Sequence, residues 1–489
     1  MSQLTRQTGS GVLWNGSVVG IQTFLNVLSL AILARLLSPS DYGVIGAAQV
    51  FIQFGMTFAA LGLGPTLIQS REITSSMVGT AFFLSLASGG MLAALMWLGS
   101  PMIAQIMRIP DLENVCRVLS LALIFQSVTI IADSVMARYL RFRLVAMLGL
   151  VSWSLAIFAI AIPCAFFQMG YWSLVAGRLA EIIIYAGTVT WFARSHFTYP
   201  KFDIEAFRKI RRTASGYALS ALSTFIAGNV DNAFVARYIG QAQLGIYSRS
   251  YLLISLPASL FGRIAEVVVF PAMSRLQDDE KRFASGYLKG IQLTAISTMP
   301  ASAFLVLFAP EIVSVLLGRA WEDAVLPIQL FASGIYFRVG YKTYSLSLLA
   351  RGRSHTVSVI QMLYAGIVAL TTYVGAQYGL VYICIGVVAA LSANCLMFAV
   401  MGIREAKIDF ADIARAHVPA VFSTLLILVT GLAVLQYTLA YSNIIRLELG
   451  VLACAAVCLS VLRISPRLVL GGHGLEVARN MVGHRIRWL

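Results

Sequence analysis

Charge is the scarcest feature of this sequence. Only 12% of its 489 residues are Asp, Glu, Lys or Arg, about half of the ~25% usual in soluble domains. With 59% hydrophobic residues and a mean hydropathy of +0.82, a freely soluble globule is excluded, and most of the surface must be solvated by lipid. Acids are scarcer than bases, 21 against 36, which leaves a net charge of +15. The bases do not gather into one stripe but sit in short clusters between apolar runs, so no nucleic-acid partner is expected. There are only five histidines, scattered singly, and six cysteines (Cys116, Cys164, Cys384, Cys395, Cys454, Cys458), none in a Cys-x-x-Cys pair. No metal or redox motif is read from them, and they are expected to act as small buried hydrophobes. No glycine-rich nucleotide loop occurs, so ATP use is not expected.

Long apolar runs are what the sequence does have. A span needs ~20 mostly apolar residues, and such runs fall at 11–37, 43–69, 75–99, 114–137, 144–167, 171–193, 214–238, 244–270, 290–317, 324–349, 355–376, 379–402, 418–438 and 443–462. The first is too long for the ~7–15-residue core of a secretory leader and is read as a span. The fold class expected is an all-α integral membrane protein of about fourteen transmembrane helices. With the amino terminus in the cytoplasm, 25 Lys/Arg fall in cytoplasmic loops and tails and five at the outer side (Arg35, Arg108, Arg237, Arg319, Arg446). The remaining six (Arg117, Arg178, Arg249, Arg263, Arg338, Lys342) lie deeper within spans. That asymmetry is the positive-inside pattern and predicts both termini in the cytoplasm. Trp14, Trp97, Trp172, Trp191 and Trp321 fall near span ends, where an interfacial belt is expected, while Trp153 falls mid-span.

The longest charged loop, 194–213, sets Ile204, Phe207 and Ile210 at helical spacing against Arg208, Lys209, Arg211 and Arg212. This fits an interfacial amphipathic helix or a solvated linker equally well; residues 475–489 show a similar pattern. Around that loop the chain repeats itself. Ala31, Ala34, Arg35 and Gly43 match Ala233, Ala236, Arg237 and Gly245 at an offset of 202. Arg141 and Arg143 match Arg351 and Arg353 at 210, and Gly170, Gly177 and Ala180 match Gly379, Gly386 and Ala389 at 209. The reading is two pseudo-symmetric six-helix lobes, residues 1–200 and 201–402, with an added helix pair and basic tail over 403–489. Parallel repeats of this kind can rock about a central cavity.

The landmarks also carry a family resemblance. They are Ala34-Arg35-Leu36-Leu37-Ser38-Pro39-Ser40-Asp41-Tyr42-Gly43, Gly62-Leu63-Gly64 through Gln69, Arg141-Phe142-Arg143, Gly170-Tyr171-Trp172-Ser173-Leu174-Val175, Asn229-Val230-Asp231-Asn232, Gly245-Ile246-Tyr247, and Pro271-Ala272-Met273-Ser274-Arg275-Leu276. In this order they resemble the polysaccharide transporter (Wzx-type oligosaccharide flippase) family of the multidrug/oligosaccharidyl-lipid/polysaccharide exporter superfamily. The resemblance implies a two-lobed carrier in the bacterial inner membrane. Its implied substrate is an undecaprenyl-diphosphate-linked repeat unit, flipped to the periplasmic leaflet for exopolysaccharide, capsule or O-antigen (lipopolysaccharide) assembly. A polysaccharide polymerase and a chain-length regulator are the partners it implies, beside membrane lipids.

Charges inside spans are costly and normally face a cavity or a partner. Arg178 and Glu181, and Arg263 and Glu266, are spaced i,i+3 and can pair on their own helices, or touch substrate. Arg338 and Lys342 are spaced i,i+4 with no acid nearby in sequence, and call for an anion or a carboxylate from another helix such as Asp133 or Asp231. The candidate substrate cavity is therefore Arg178, Arg249, Arg338 and Lys342. The candidates for ion coupling or interlobe pairing are Asp133, Asp231, Glu181 and Glu266, with a proton or sodium gradient in place of any cofactor. A drug or cation exporter of the same superfamily is the alternative, disfavoured because the buried charges are mostly basic. A membrane glycosyltransferase or polymerase is less in keeping with short outer loops and no recognisable catalytic site.

Overall fold

The computed structural model describes residues 20–60, 63–69, 74–194, 202–208, 225, 228–264, 279–471 and 475. All regular structure among them is helical. Contacts divide the chain into two compact units, Met1–Gly245 and Ile246–Leu489. The expected lobe boundary at 200/201 falls in 195–201, outside the described residues.

The first unit holds α1 (Gly20–Leu36), α2 (Pro39–Ala60), α3 (Leu63–Gln69), α4 (Ser75–Met107) and α5 (Leu112–Arg138). It continues with α6 (Phe142–Phe166), α7 (Tyr171–Ala193) and α8 (228–239). The Ser-Pro-Ser-Asp motif earns its place as a helix start. Ser38 N donates to Asp41 Oδ2 at 2.8 Å and Asp41 N donates to Ser38 Oγ at 3.3 Å, a reciprocal capping box with proline at the first helical position. Thr74 caps α4 by accepting from Met77 N at 3.2 Å. Pro163 withholds a donor from the ladder of α6, and the preceding turns widen into a π segment, Leu155–Ala161. Tight turns follow at Leu140 (φ 57°) and Gly170 (φ 54°).

The first turn of α2 and the segment 241–245 lie almost backbone on backbone. A Cβ on Gly43 would stand 1.7 Å from Gln241 O, and one on Gly245 1.8 Å from Pro39 O. Gln241 Nε2 donates to Ser40 Oγ across this contact. Gly43 and Gly245 are a matched pair of the sequence repeat, so the repeat keeps glycine where its own copies touch.

Helix α9 (Gln241–Ile264) leads into the second unit, with α10 (Glu280–Leu307), α11 (Ala309–Ile312, continuing as a π turn Val313–Leu317), α12 (Val325–Ser333) and α13 (Ile335–Ala350). Then come α14 (Ser354–Gly375), α15 (Leu380–Ala406), α16 (Phe410–Tyr437) and α17 (Asn443–Ile464). Its core gathers Phe283, Tyr287, Ile291, Tyr344, Leu346 and Phe398 from α10, α13 and α15. Two starts lie well ahead of the apolar runs that foretold them, at 290 and 418: α10 begins at Glu280, capped by Asp279, whose carboxylate accepts from Arg282 N at 3.1 Å, and α16 begins at Phe410. The run at 290–317 is broken at Phe308, one residue before the Ala309-Pro310 start of α11.

Among the described residues, ten helices are long and apolar enough to cross a membrane. The expected spans outside that set are 11–37, 214–238, 244–270 and 324–349, whose described parts are nonetheless helical. The last two fall outside it for physical reasons: α9 carries Arg249 among serines and tyrosines, and α12 breaks from α13 at Gly334, which leaves two helices of 9 and 16 residues.

Of the loop 194–213, residues 204–208 form one helical turn started by Asp203, which accepts from Glu205 N at 2.8 Å and holds Ser76 Oγ on α4 at 2.5 Å. Ala206 is buried there and Ile204 exposed. Residues 195–201 and 209–213 of that loop, and 476–489 of the tail, lie outside the described residues. Trp321 is not interfacial. It is wholly buried in the 3-10 turn Arg319–Ala324.

Candidate functional site

In the second unit the cationic site is built on α13, with α9 beside it. The side chain of Arg338 lies over the ring of Tyr251, with its guanidinium carbon 4.3 Å from the centroid. Tyr251 stacks on Tyr247 at 6.2 Å and meets Phe331 edge-on at 5.4 Å, so one aromatic cluster fixes the guanidinium's underside. No carboxylate among the described residues lies within ion-pair distance of Arg338. A guanidinium lying over an aromatic ring can still present in-plane donors to an anion. Lys342 follows one turn on, half-buried, and Arg249 is half-buried on α9 two residues from Tyr251. These three candidates therefore share two adjoining helices.

Arg178 is placed otherwise. Its Nη1 donates to Glu181 Oε2 at 2.7 Å within α7 of the first unit, and the two charges neutralise each other. Also in the first unit, Asp133 on α5 accepts from the Tyr185 hydroxyl of α7 at 2.6 Å. Asp231 on α8 is buried, and its Oδ1 accepts from Asn232 N at 2.8 Å, while Asn229 turns away to donate to Phe225 O at 3.1 Å. Glu266 and the side chain of Arg263 lie outside the described residues.

Three arrangements were not read from the sequence. Glu311 on α11, 2% exposed, pairs with Arg446 of α17 at 3.0 Å. Arg351 and Arg353, one of the repeated pairs, both turn to Glu405 at 3.8 and 3.6 Å, and Lys407 reaches Glu280. His417 on α16 bonds Tyr336, which bonds Tyr344, both on α13. A signal for the last was present: Tyr336, Gly340 and Tyr344 recur at i, i+4, i+8 on one face of the helix that carries Arg338.

Against known proteins, a family model described as "Polysaccharide biosynthesis protein" matches residues 32–326. The succinoglycan biosynthesis transport protein ExoT of Rhizobium meliloti (strain 1021) is 26% identical over 336 residues, 68% of this chain and 66% of that protein, just under two thirds of its length. The teichuronic acid biosynthesis protein TuaB of Bacillus subtilis (strain 168) is 22% identical over 72% of this chain and 73% of its own. The lipopolysaccharide biosynthesis protein WzxC of Escherichia coli (strain K12) is 23% identical over 72% and 71%. Among solved structures, the lipid II flippase MurJ in an inward closed conformation superposes with a TM-score of 0.70 at 16% identity, covering 93% of this chain and 100% of that one. An inward-facing multidrug resistance MATE family transporter of the MOP superfamily gives 0.63 at 14% identity, over 79% and 94%. At such identities the structural likeness is one of fold. With more than half of its length matched by the family model, this multi-pass membrane chain belongs to the polysaccharide biosynthesis protein family, as a Wzx-type member of the MOP superfamily.

Proposed function

We propose that the chain is a flippase for undecaprenyl-diphosphate-linked oligosaccharide repeat units, carrying them from the cytoplasmic to the periplasmic leaflet of a bacterial inner membrane. Both termini are cytoplasmic in this reading, two six-helix lobes alternate access to a cavity, and an ion gradient supplies the driving force. The product feeds exopolysaccharide, capsule or O-antigen assembly, where a polymerase and a chain-length regulator act next. The observation that carries the substrate class is Arg338, a half-buried guanidinium with an aromatic underside and, among the described residues, no carboxylate within ion-pair distance. A diphosphate supplies the missing negative charge and matches the guanidinium fork in bidentate fashion. A cation exporter would want the opposite, acids without partners. The relatives' roles in polysaccharide biosynthesis support the same reading.

Reconstitution tests it. Proteoliposomes holding a fluorescent undecaprenyl-diphosphate disaccharide should move it between leaflets, and Arg338→Gln should slow this at least tenfold. Equal rates with and without the protein, or efflux of cationic dyes in preference, would overturn the assignment.

A further inference from the structure

The added helix pair α16–α17 lies outside the sequence repeat, yet one of its residues reaches into the wall that carries the candidate cations. His417 sits half-buried on α16 with both ring nitrogens engaged. Its Nδ1 is 2.7 Å from Ile413 O and its Nε2 is 2.5 Å from the Tyr336 hydroxyl. A carbonyl can only accept, so Nδ1 carries a hydrogen in every protonation state, which fixes the neutral tautomer. Nε2 is then the atom at which a proton is gained or lost. Tyr336 Oη is also 3.1 Å from Tyr344 Oη, and Tyr287 Oη donates to Tyr344 O at 3.0 Å.

This chain of oxygens accommodates both states of the ring. With Nε2 bare, the Tyr336 hydroxyl donates to it and Tyr344 donates to Tyr336. With Nε2 protonated, Nε2–H donates to Tyr336, whose own hydrogen turns to Tyr344. Gain of one proton reverses the donors along the chain without breaking a contact between α16 and α13. The other titratable and charged groups around it are few. They are Tyr287 and Lys289 from α10, Cys395 from α15, and Arg338 and Lys342 further along α13. On its own helix Asp412 and Arg415 pair with each other at 3.2 Å, toward solvent, and Arg467 beyond α17 is exposed. No carboxylate among the described residues lies within ion-pair distance to hold the imidazolium permanently charged.

We propose that His417, through Nε2, is a proton-binding site of the transport cycle, read out on α13 through Tyr336 and Tyr344. The role in transport rests on the flippase reading above, whereas proton binding does not, and two measurements separate them. The first is nitrogen NMR of histidine-labelled protein in nanodiscs, with the His417 signal assigned by its loss in His417→Gln. Nε2 should change its protonation across the pH scan while Nδ1 keeps its hydrogen. Tyr336→Phe, which keeps the ring and removes the hydroxyl, should move the midpoint by about half a pH unit, a roughly threefold change in proton affinity. A signal constant from pH 4.5 to 9 in the wild type overturns the proposal whatever the protein transports.

The second measurement is flipping of the labelled lipid-linked disaccharide with and without an imposed pH gradient. The wild type should accelerate severalfold with a gradient of one sign, and His417→Gln should keep its gradient-free rate but lose the acceleration. Should that variant fail to fold, Tyr336→Phe must shift the pH at which acceleration is half-maximal. Full acceleration in His417→Gln overturns the coupling role. No flipping by any variant counts against the flippase reading, and the NMR titration then still decides the proton site.

Discussion

At the scale of single residues, the buried pair Glu311–Arg446 is where one atom group most clearly depends on another. Glu311 is 2% exposed and has its partner at 3.0 Å, and its second carboxylate oxygen makes no hydrogen bond. Removing the cation leaves an uncompensated buried charge, at a cost of about 3 kcal/mol. Arg446→Met should therefore lower the unfolding midpoint in detergent, and the double change with Glu311→Leu should restore most of it; additive losses in the double variant would exclude the pairing as the cause. Arg338 carries the opposite expectation. Its substitution by glutamine should leave stability near wild type while lowering affinity for inorganic pyrophosphate, because in the proposed reading the cation serves ligand binding, and among the described residues it makes no ion pair. A calorimetric titration that gives equal affinities would count against it. Arg338, Lys342, Arg178 and Glu181 were legible in sequence because a charge inside an apolar run announces itself. Glu405 and His417 were not, since each matters through a partner on a distant helix and neither interrupts a span; Glu311 does fall inside the run 290–317, but its partner Arg446 lies on a distant helix.

Elements were more legible than residues. Apolar runs located the helices, and the Ser38–Asp41 box, Gly170 and Gly379, met in the sequence as landmarks of the family or the repeat, prove to stand at helix starts. What the runs could not give was where a helix breaks. The π turns in α6 and α11 and the stop at Gly334 follow from prolines and from packing, and hydropathy is blind to both. Close approach is blind in the same way until the repeat is used. Gly43 and Gly245 were matched in sequence only as similar residues, and the structure supplies the reason in carbonyl oxygens 1.7 and 1.8 Å from where a Cβ would stand. Backbone cannot yield as a flexible side chain can, so Gly43→Ala must push α2 from the segment 241–245 and should cost about 1–3 kcal/mol. Gly90→Ala, at a helical glycine with nothing within 4 Å of the added methyl, is the matched control and should be neutral or slightly stabilising. Thermal unfolding of the two variants side by side decides it, and equal midpoints would mean that the contact yields freely.

The scale of the whole molecule is set by a parity. From the turn at Phe167 to the turn at Tyr378 the fourteen-span reading counts six crossings, an even number, so both turns must face the same side. The five Lys/Arg assigned to the outer side against 25 inside put that side away from the cytoplasm. Phe167 and Tyr378 are 82% and 67% exposed, so a cysteine at either position should be within reach of a reagent. The six native cysteines all lie inside helices, four of them buried, and give little background. Single-cysteine variants Phe167→Cys and Tyr378→Cys should both react with a membrane-impermeant maleimide added to intact cells. Leu140→Cys and Lys407→Cys, each one helix away, should react only after lysis. If Phe167 and Tyr378 fall on opposite sides, one of the stretches between them does not cross, and should it be 244–270 or 324–349, α9 or α13 loses the membrane setting that makes a lone guanidinium costly. The labelling pattern thus tests more than topology. An even count is what turns Arg338 from a surface charge into one that demands an anion.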